Sequence, residues 1–161
     1  MALQALDDEQ GISDQESAFE DFLGHNRVFY VNNKDLVTKW YLAKRCAEEF
    51  YRSERYDRPL SLLLIEPFTT TEEGVVRRQV GAWVREELRV TDIPTLLGGR
   101  RYAVLLVETS PEEASIIAGR LRASVRNIRI GLSHFPEDGA TLDGLIATAT
   151  DAFDEDANQV A

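Results

Sequence analysis

Leu97-Gly98-Gly99-Arg100-Arg101-Tyr102-Ala103-Val104-Leu105-Leu106 constrains the fold more than any other stretch of this chain. Two apolar runs of strand length flank a glycine pair. Glycine takes φ > 0 without steric cost, so the pattern predicts a β-hairpin with two arginines at its tip. A hairpin joins neighbouring antiparallel strands. Any fold containing it has a sheet that is at least partly antiparallel, whatever the rest of the chain builds.

The rest alternates strand and helix patterns. Val28 to Val31 is a short apolar extended segment. Asp35 to Tyr56 carries Trp40, Ala43, Ala47 and Phe50 at helical spacing, which predicts an amphipathic helix with those residues inward; Cys46 is also placed on an inner stripe. Leu60 to Ile65 is a nearly continuous apolar run, as expected of a strand buried on both faces. Val76, Val80, Trp83 and Leu88 mark a second helix ending near Arg89. Ser110-Pro111-Glu112-Glu113 has a capping serine, proline at the first helical position and acids in the first turn, so a third helix starts there. Arg129 to Phe135 reads as a strand, Pro136 to Gly139 as a turn, and Thr141 as the cap of a last helix. The order β-α-β-α-β-β-α-β-α implies an α/β (α+β) fold, a mixed central sheet flanked by helices with a short hairpin at Gly98-Gly99.

The chain of 161 residues suits one domain, expected over residues 28–161. Residues 1–27 are expected as an acidic tail: Asp7, Asp8, Glu9, Asp14, Glu16, Glu20 and Asp21 lie there, and residues 1–26 contain no Lys or Arg. That segment supplies most of the net charge of −10. Its composition fits a disordered tail, and Ile12, Phe19, Phe22 and Leu23 also fit a short amphipathic helix over Ser13–Leu23. The domain itself is mildly acidic, which disfavours nucleic acid as a partner. No run has the length of a membrane span, and Cys46 is the only cysteine; both favour a cytoplasmic protein without disulfides or membrane insertion. His25, His134 and Cys46 have no metal-ligand spacing, and Ser133 lacks the setting of an activated nucleophile, so no metal and no catalytic residue is expected from them.

The hairpin resembles the signature of GGDEF domains, the diguanylate cyclases that join two GTP into cyclic di-GMP. Asp35 to Tyr41 is similar to the opening motif of that family and Pro59 to Ile65 to its first core strand. Leu97 to Ala114 covers its hairpin and the helix start that follows. Arg129 to Ser133, Phe135 to Gly139 and Asp151-Ala152-Phe153 resemble later segments, so the resemblance spans roughly residues 35–158. It implies the GGDEF fold. The departures fall on the chemistry. Arg100 and Arg101, followed by Tyr102, stand where the family has its acidic pair and Phe. Glu66-Pro67 replaces the first metal aspartate and its neighbours, Leu42 replaces the guanine-contacting Asn, and the loop over Thr69–Gly74 is short. Fixed positive charges at the tip repel a divalent cation. The expectation is a degenerate domain that is not an enzyme, its tip either simply solvated or turned to recognising an anion.

One site of the family retains its residues. Arg89-Val90-Thr91-Asp92 lies at the spacing from the glycine pair of the family's Arg-x-x-Asp inhibitory site, and Arg120 occupies the place of the third participant. The resemblance implies cyclic di-GMP as ligand there, with no other cofactor. A guanidinium can bond the guanine O6/N7 edge, and a carboxylate can accept from guanine N–H groups. Set against this, Arg89 can simply favour a helix C-terminus and Asp92 can stabilise the next turn. Two readings therefore stand: a cyclic di-GMP receptor acting on a separate signalling or effector protein, and a ligand-independent protein-interaction scaffold. A homodimer is compatible with both.

Overall fold

The computed structural model describes residues 30–31, 36–68, 72–98 and 100–160. The acidic tail, the helix considered at Ser13–Leu23, Val28 and Phe29 of the first expected strand, and Gly99 all lie outside them. The elements are β1 (Tyr30–Val31), β2 (Leu36–Val37), α1 (Lys39–Tyr56), β3 (Leu60–Pro67), α2 (Glu73–Glu87), β4 (Ile93–Gly98), β5 (Arg101–Val107), α3 (Pro111–Ser124), β6 (Ile128–Phe135) and α4 (Leu142–Val160). They build the expected mixed sheet flanked by helices, in the order β1-β2-β4-β5-β3-β6. β2 runs parallel to β4, and the other neighbouring pairs are antiparallel.

Period-two alternation divides the core into two layers. Leu63, Ile65, Tyr102, Val104, Leu106 and Ile130 pack under α2 and α3. Leu60, Leu62, Leu64, Ala103, Leu105 and Phe135 pack under α1 and α4. The expected helix starts appear as built caps. Ser110 Oγ accepts from Glu113 N and the Glu113 carboxylate accepts from Ser110 N, a capping box with Pro111 at the first turn. Thr141 Oγ1 accepts from Gly144 N at 3.0 Å.

The first helix differs from expectation in two ways. Leu36 and Val37 are strand, because both are buried and pair between β1 and β4. The helix starts only after Thr38, whose Oγ1 caps Tyr41 N at 3.3 Å. Its inward stripe is Leu42, Cys46, Glu49 and Ser53, not Trp40, Ala43, Ala47 and Phe50. Trp40 is 59% exposed, Ala43 and Ala47 face solvent, and Phe50 is half-buried, stacked on Phe135. A glutamate belongs to the buried stripe because Arg45 and Arg52 both reach its Oε1, at 3.1 and 3.0 Å.

Thr95, in the middle of β4, is wholly buried, and its Oγ1 has no hydrogen-bond partner among the described residues. A buried hydroxyl left unmatched costs about 1–3 kcal/mol. Thr95→Val keeps the shape and removes the unmatched group, so it is expected to raise stability by about 1 kcal/mol. Urea unfolding checks this: the midpoint should rise with the slope unchanged, and a fall would show that the hydroxyl is satisfied.

Candidate functional site

The hairpin end of the sheet carries a three-residue ion cluster. Glu66 ends β3, Arg101 opens β5 and Arg129 lies directly opposite Glu66 on β6. Strand alternation puts all three side chains on the α1/α4 face. Arg101 Nε donates to Glu66 Oε1 at 3.1 Å, and Arg129 Nη2 meets Glu66 Oε2 at 3.1 Å. Each carboxylate oxygen thus has its own guanidinium, and the group carries a net charge of +1. The side chains are only 23–39% exposed, so Arg101 is not a solvated tip residue. Arg100 is half-buried, and Tyr102 belongs to the core at 1% exposure. Gly98 has φ of 120°, a backbone state that requires glycine, and the β4–β5 register shifts between Leu96 and Gly98.

In the sequence Arg129 carries no signal beyond opening a strand. Its role depends on the β3–β6 register, a pairing across 63 positions that no local pattern displays.

The opposite end of the sheet holds the turn from α2 into β4. The helix stops at Glu87 with Leu88 as cap, so Arg89 lies beyond the last turn, where a dipole effect was expected. The side chain points back over the fold. Its Nη2 contacts Asp92 Oδ1 at 3.2 Å, the Val107 carbonyl at 2.6 Å and Thr109 Oγ1 at 2.7 Å, and Arg89 N donates to Asp92 Oδ2 at 2.9 Å. The Asp92 side chain is 2% exposed, that of Arg89 50%. The pair is therefore a clamp tying the α2–β4 turn to the end of β5. Arg120, 65% exposed on α3, approaches Glu87 at 3.9 Å. Arg89 and Asp92 are brought together, whereas Arg120 stands beside the C-terminal end of α2, tied to it through Glu87.

Next to this clamp is a cavity of about 320 Å³ between the second half of α1, the start of β3 and the end of β5. Arg45, Glu49, Arg52, Tyr56 and Arg58 line it, with Thr91 of the turn at its edge. Arg58 is held by Glu108 at 2.6 Å. Sequence reading missed this lining altogether. The available signal was the 42-46-49-53 spacing, which places Glu49 on an otherwise small or apolar stripe.

Other reactive side chains are structural. Burial pushes the Cys46 thiol up to about 12, reinforced by nearby Glu49, so it is no nucleophile at neutral pH. Ser61 Oγ donates to the Thr109 carbonyl and meets His134 Nδ1, both at 2.8 Å, and Ser133 Oγ donates to the Leu145 carbonyl. Among the described residues no helix is long and apolar enough to cross a membrane.

Among the described residues, a six-stranded mixed sheet with two helices on each face, carrying a tight hairpin at one end, defines a nucleotidyl cyclase-like architecture. More narrowly, the fold is that of GGDEF domains. The chain matches the GGDEF domain of TpbB (YfiN) from Pseudomonas aeruginosa with a TM-score of 0.68 at 22% identity, covering 84% of this chain and 89% of that one. It matches the coiled coil and GGDEF domain of DgcB from Caulobacter crescentus, solved in complex with c-di-GMP, with a TM-score of 0.73 at 10% identity over 99% and 96%. It also matches the diguanylate cyclase SiaD of Pseudomonas aeruginosa, solved with its activator SiaC, with a TM-score of 0.67 at 20% identity over 98% and 70%. No family profile matches the sequence, and no curated protein does.

The divalent cation that such a fold implies does not fit this donor set. A hard cation takes carboxylate oxygens at close range. Here one oxygen of Glu66 accepts from Arg101 and the other is ion-paired with Arg129, and the cation would enter a cluster of net positive charge.

Proposed function

We propose that this chain is a catalytically inactive GGDEF domain working as a signalling module. It binds cyclic di-GMP at the surface formed by Arg89, Asp92 and Arg120 and acts on a separate protein partner. The observation carrying this reading is the Arg101–Glu66–Arg129 cluster, which occupies with fixed positive charge the end of the sheet where phosphoryl chemistry needs metal-bound carboxylates. Support for the ligand comes from the two exposed arginines near the C-terminal end of α2. The outward halves of Arg89 and Arg120 offer planar cations for stacking on, and bonding to, guanine. Asp92 is buried beneath Arg89, so in this reading it positions that arginine and does not touch the base.

Titration calorimetry of the full chain with cyclic di-GMP tests the ligand. Arg120→Ala removes an exposed side chain and leaves the fold intact. It should weaken binding at least about tenfold, since a hydrogen bond to a charged group contributes about 1.5–3 kcal/mol and about 1.4 kcal/mol is a factor of ten. No heat at high micromolar ligand, or equal affinity in the variant, sinks the receptor reading. Cyclic di-GMP formed from GTP and Mg²⁺ would sink the claim of inactivity.

The scaffold reading, in which the fold binds a protein without any nucleotide, is favoured by a specific observation of its own. Trp40, Tyr51 and Tyr56 are each about 60% exposed along one helix.

A further inference from the structure

We propose that the outer face of α1 is the docking surface for this chain's own acidic segment, residues 7–23. Exposed aromatic surface and positive charge coincide on this helix. Trp40, Tyr51 and Tyr56 are three of the five large hydrophobic residues exposed among the described residues, and all three lie on α1: Trp40 and Tyr51 share its outer face, and Tyr56 stands at its C-terminal end beside the cavity. Cations ride on them: Lys44 Nζ stands 5.9 Å from the Trp40 ring, and the Arg55 guanidinium 6.0 and 5.6 Å from the rings of Tyr51 and Tyr56. Such a surface takes acidic groups interleaved with apolar ones, because carboxylates pair with the cations while apolar side chains cover the ring faces.

Charge selects this helix. On α1, Arg45 and Arg52 pair with buried Glu49, which leaves Lys39, Lys44 and Arg55 against Glu48 and Glu54 facing solvent, a net positive face; α2 and α3 are each balanced, and α4 holds five acids and no base. An acidic segment is therefore repelled by α4, which shares the same face of the sheet, and is attracted to α1. Residues 7–23 hold seven acids, no base, and Phe19, Phe22 and Leu23. Connectivity agrees. Tyr30 pairs with Val37, one residue before the Thr38 cap, so the chain preceding Tyr30 meets the described fold beside the N-terminal end of α1. An extended residue spans about 3.3 Å. The 18 residues of α1 occupy only about 27 Å at 1.5 Å rise. Reach is ample, and charge and aromatic surface decide the place.

The chain's three lysines make the test direct. Lys34, Lys39 and Lys44 are the only lysine amines for zero-length carbodiimide coupling to carboxylates, and Lys44 lies within the proposed surface. Coupling in the full-length chain, followed by peptide mapping, should join Lys44 to an acid among residues 7–21 within a single chain. The yield should fall several-fold in a Trp40→Ala/Arg55→Glu double variant, whose two positions are solvent-facing, and near 1 M salt, where the screening length is about 3 Å. Coupling of Lys44 to its helical neighbour Glu48 serves as the internal control. The proposal is overturned if Lys44 couples to Glu48 alone. It is equally overturned if the yield ignores both the double variant and salt. Mixing light and isotopically heavy chains separates the remaining case: coupled peptides of mixed isotope would show a second copy, not the same chain, on this face.

Discussion

Arg89→Ala is expected to destabilise the domain by about 3 kcal/mol, near the lower end of what breaking a buried ion pair costs. The substitution leaves the Asp92 carboxylate, 2% exposed, with the Arg89 backbone N–H as its remaining donor, and it unties the α2–β4 turn from the Val107 carbonyl and Thr109. The discount below a fully buried pair reflects the half-exposed arginine, whose charge is partly solvated already. Arg89→Lys should recover little. An ammonium is a point donor and cannot span both Asp92 oxygens, a backbone carbonyl and a hydroxyl with one planar group. Urea unfolding of the two variants measures this, and a loss below about 1 kcal/mol for Arg89→Ala would show that the clamp is slack. The consequence for ligand work is direct. A fall in cyclic di-GMP affinity in Arg89→Ala would confound a lost contact with a loosened turn, which is why Arg120 is the cleaner probe.

What was legible in the sequence was chemistry confined to a few neighbouring residues. Gly98, the Ser110-Pro111 start with Glu113 three residues on, and Thr141 each carry their reason within one turn of chain, and each stands where the sequence puts it. Long-range features were not legible. On α1 an apolar count puts Trp40 inside and Glu49 outside, and the structure reverses both. Arg45 and Arg52 neutralise Glu49 from the same helix, while the tryptophan stays out with Lys44 against it. Glu66 could be noticed as a displaced metal carboxylate, yet its partners come from two other strands, and only the register brings Arg101 and Arg129 to it. Arg89 misled for a related reason. At a helix end a cation already has an explanation in the dipole, and nothing local announces that its true acceptors include residues 18 and 20 positions later.

Gly131→Ala is expected to remove about 3 kcal/mol or more, at or above the upper end of ordinary overpacking. A Cβ at position 131 would lie 1.9 Å from the Ala149 carbonyl oxygen and 2.8 Å from its carbon. Both obstacles are backbone of α4, so no side chain can rotate away, and the whole helix must lift from β6. That helix seats Leu145, Ala149 and Phe153 in the layer over Leu62 and Leu64, so lifting it reopens packing well beyond one methyl group. For a domain of this size each kcal/mol corresponds to about 2–4 °C, which predicts a fall in melting temperature of about 6–12 °C. Gly119→Ala is the matched control. It sits in α3 with nothing within 4 Å of a new Cβ, and it should gain up to about 1 kcal/mol from helix propensity. If both variants melt alike, α4 does not rest directly on the strand. The same contact reaches the functional end of the sheet. Gly131 and Arg129 occupy the same face of β6, two residues apart, so a displaced helix moves the strand that delivers Arg129 to Glu66. Substitution at Gly131 should therefore weaken the Arg129–Glu66 pairing as well as the core, visible as a smaller coupling energy between those two residues in a double-mutant cycle built on the Gly131→Ala background.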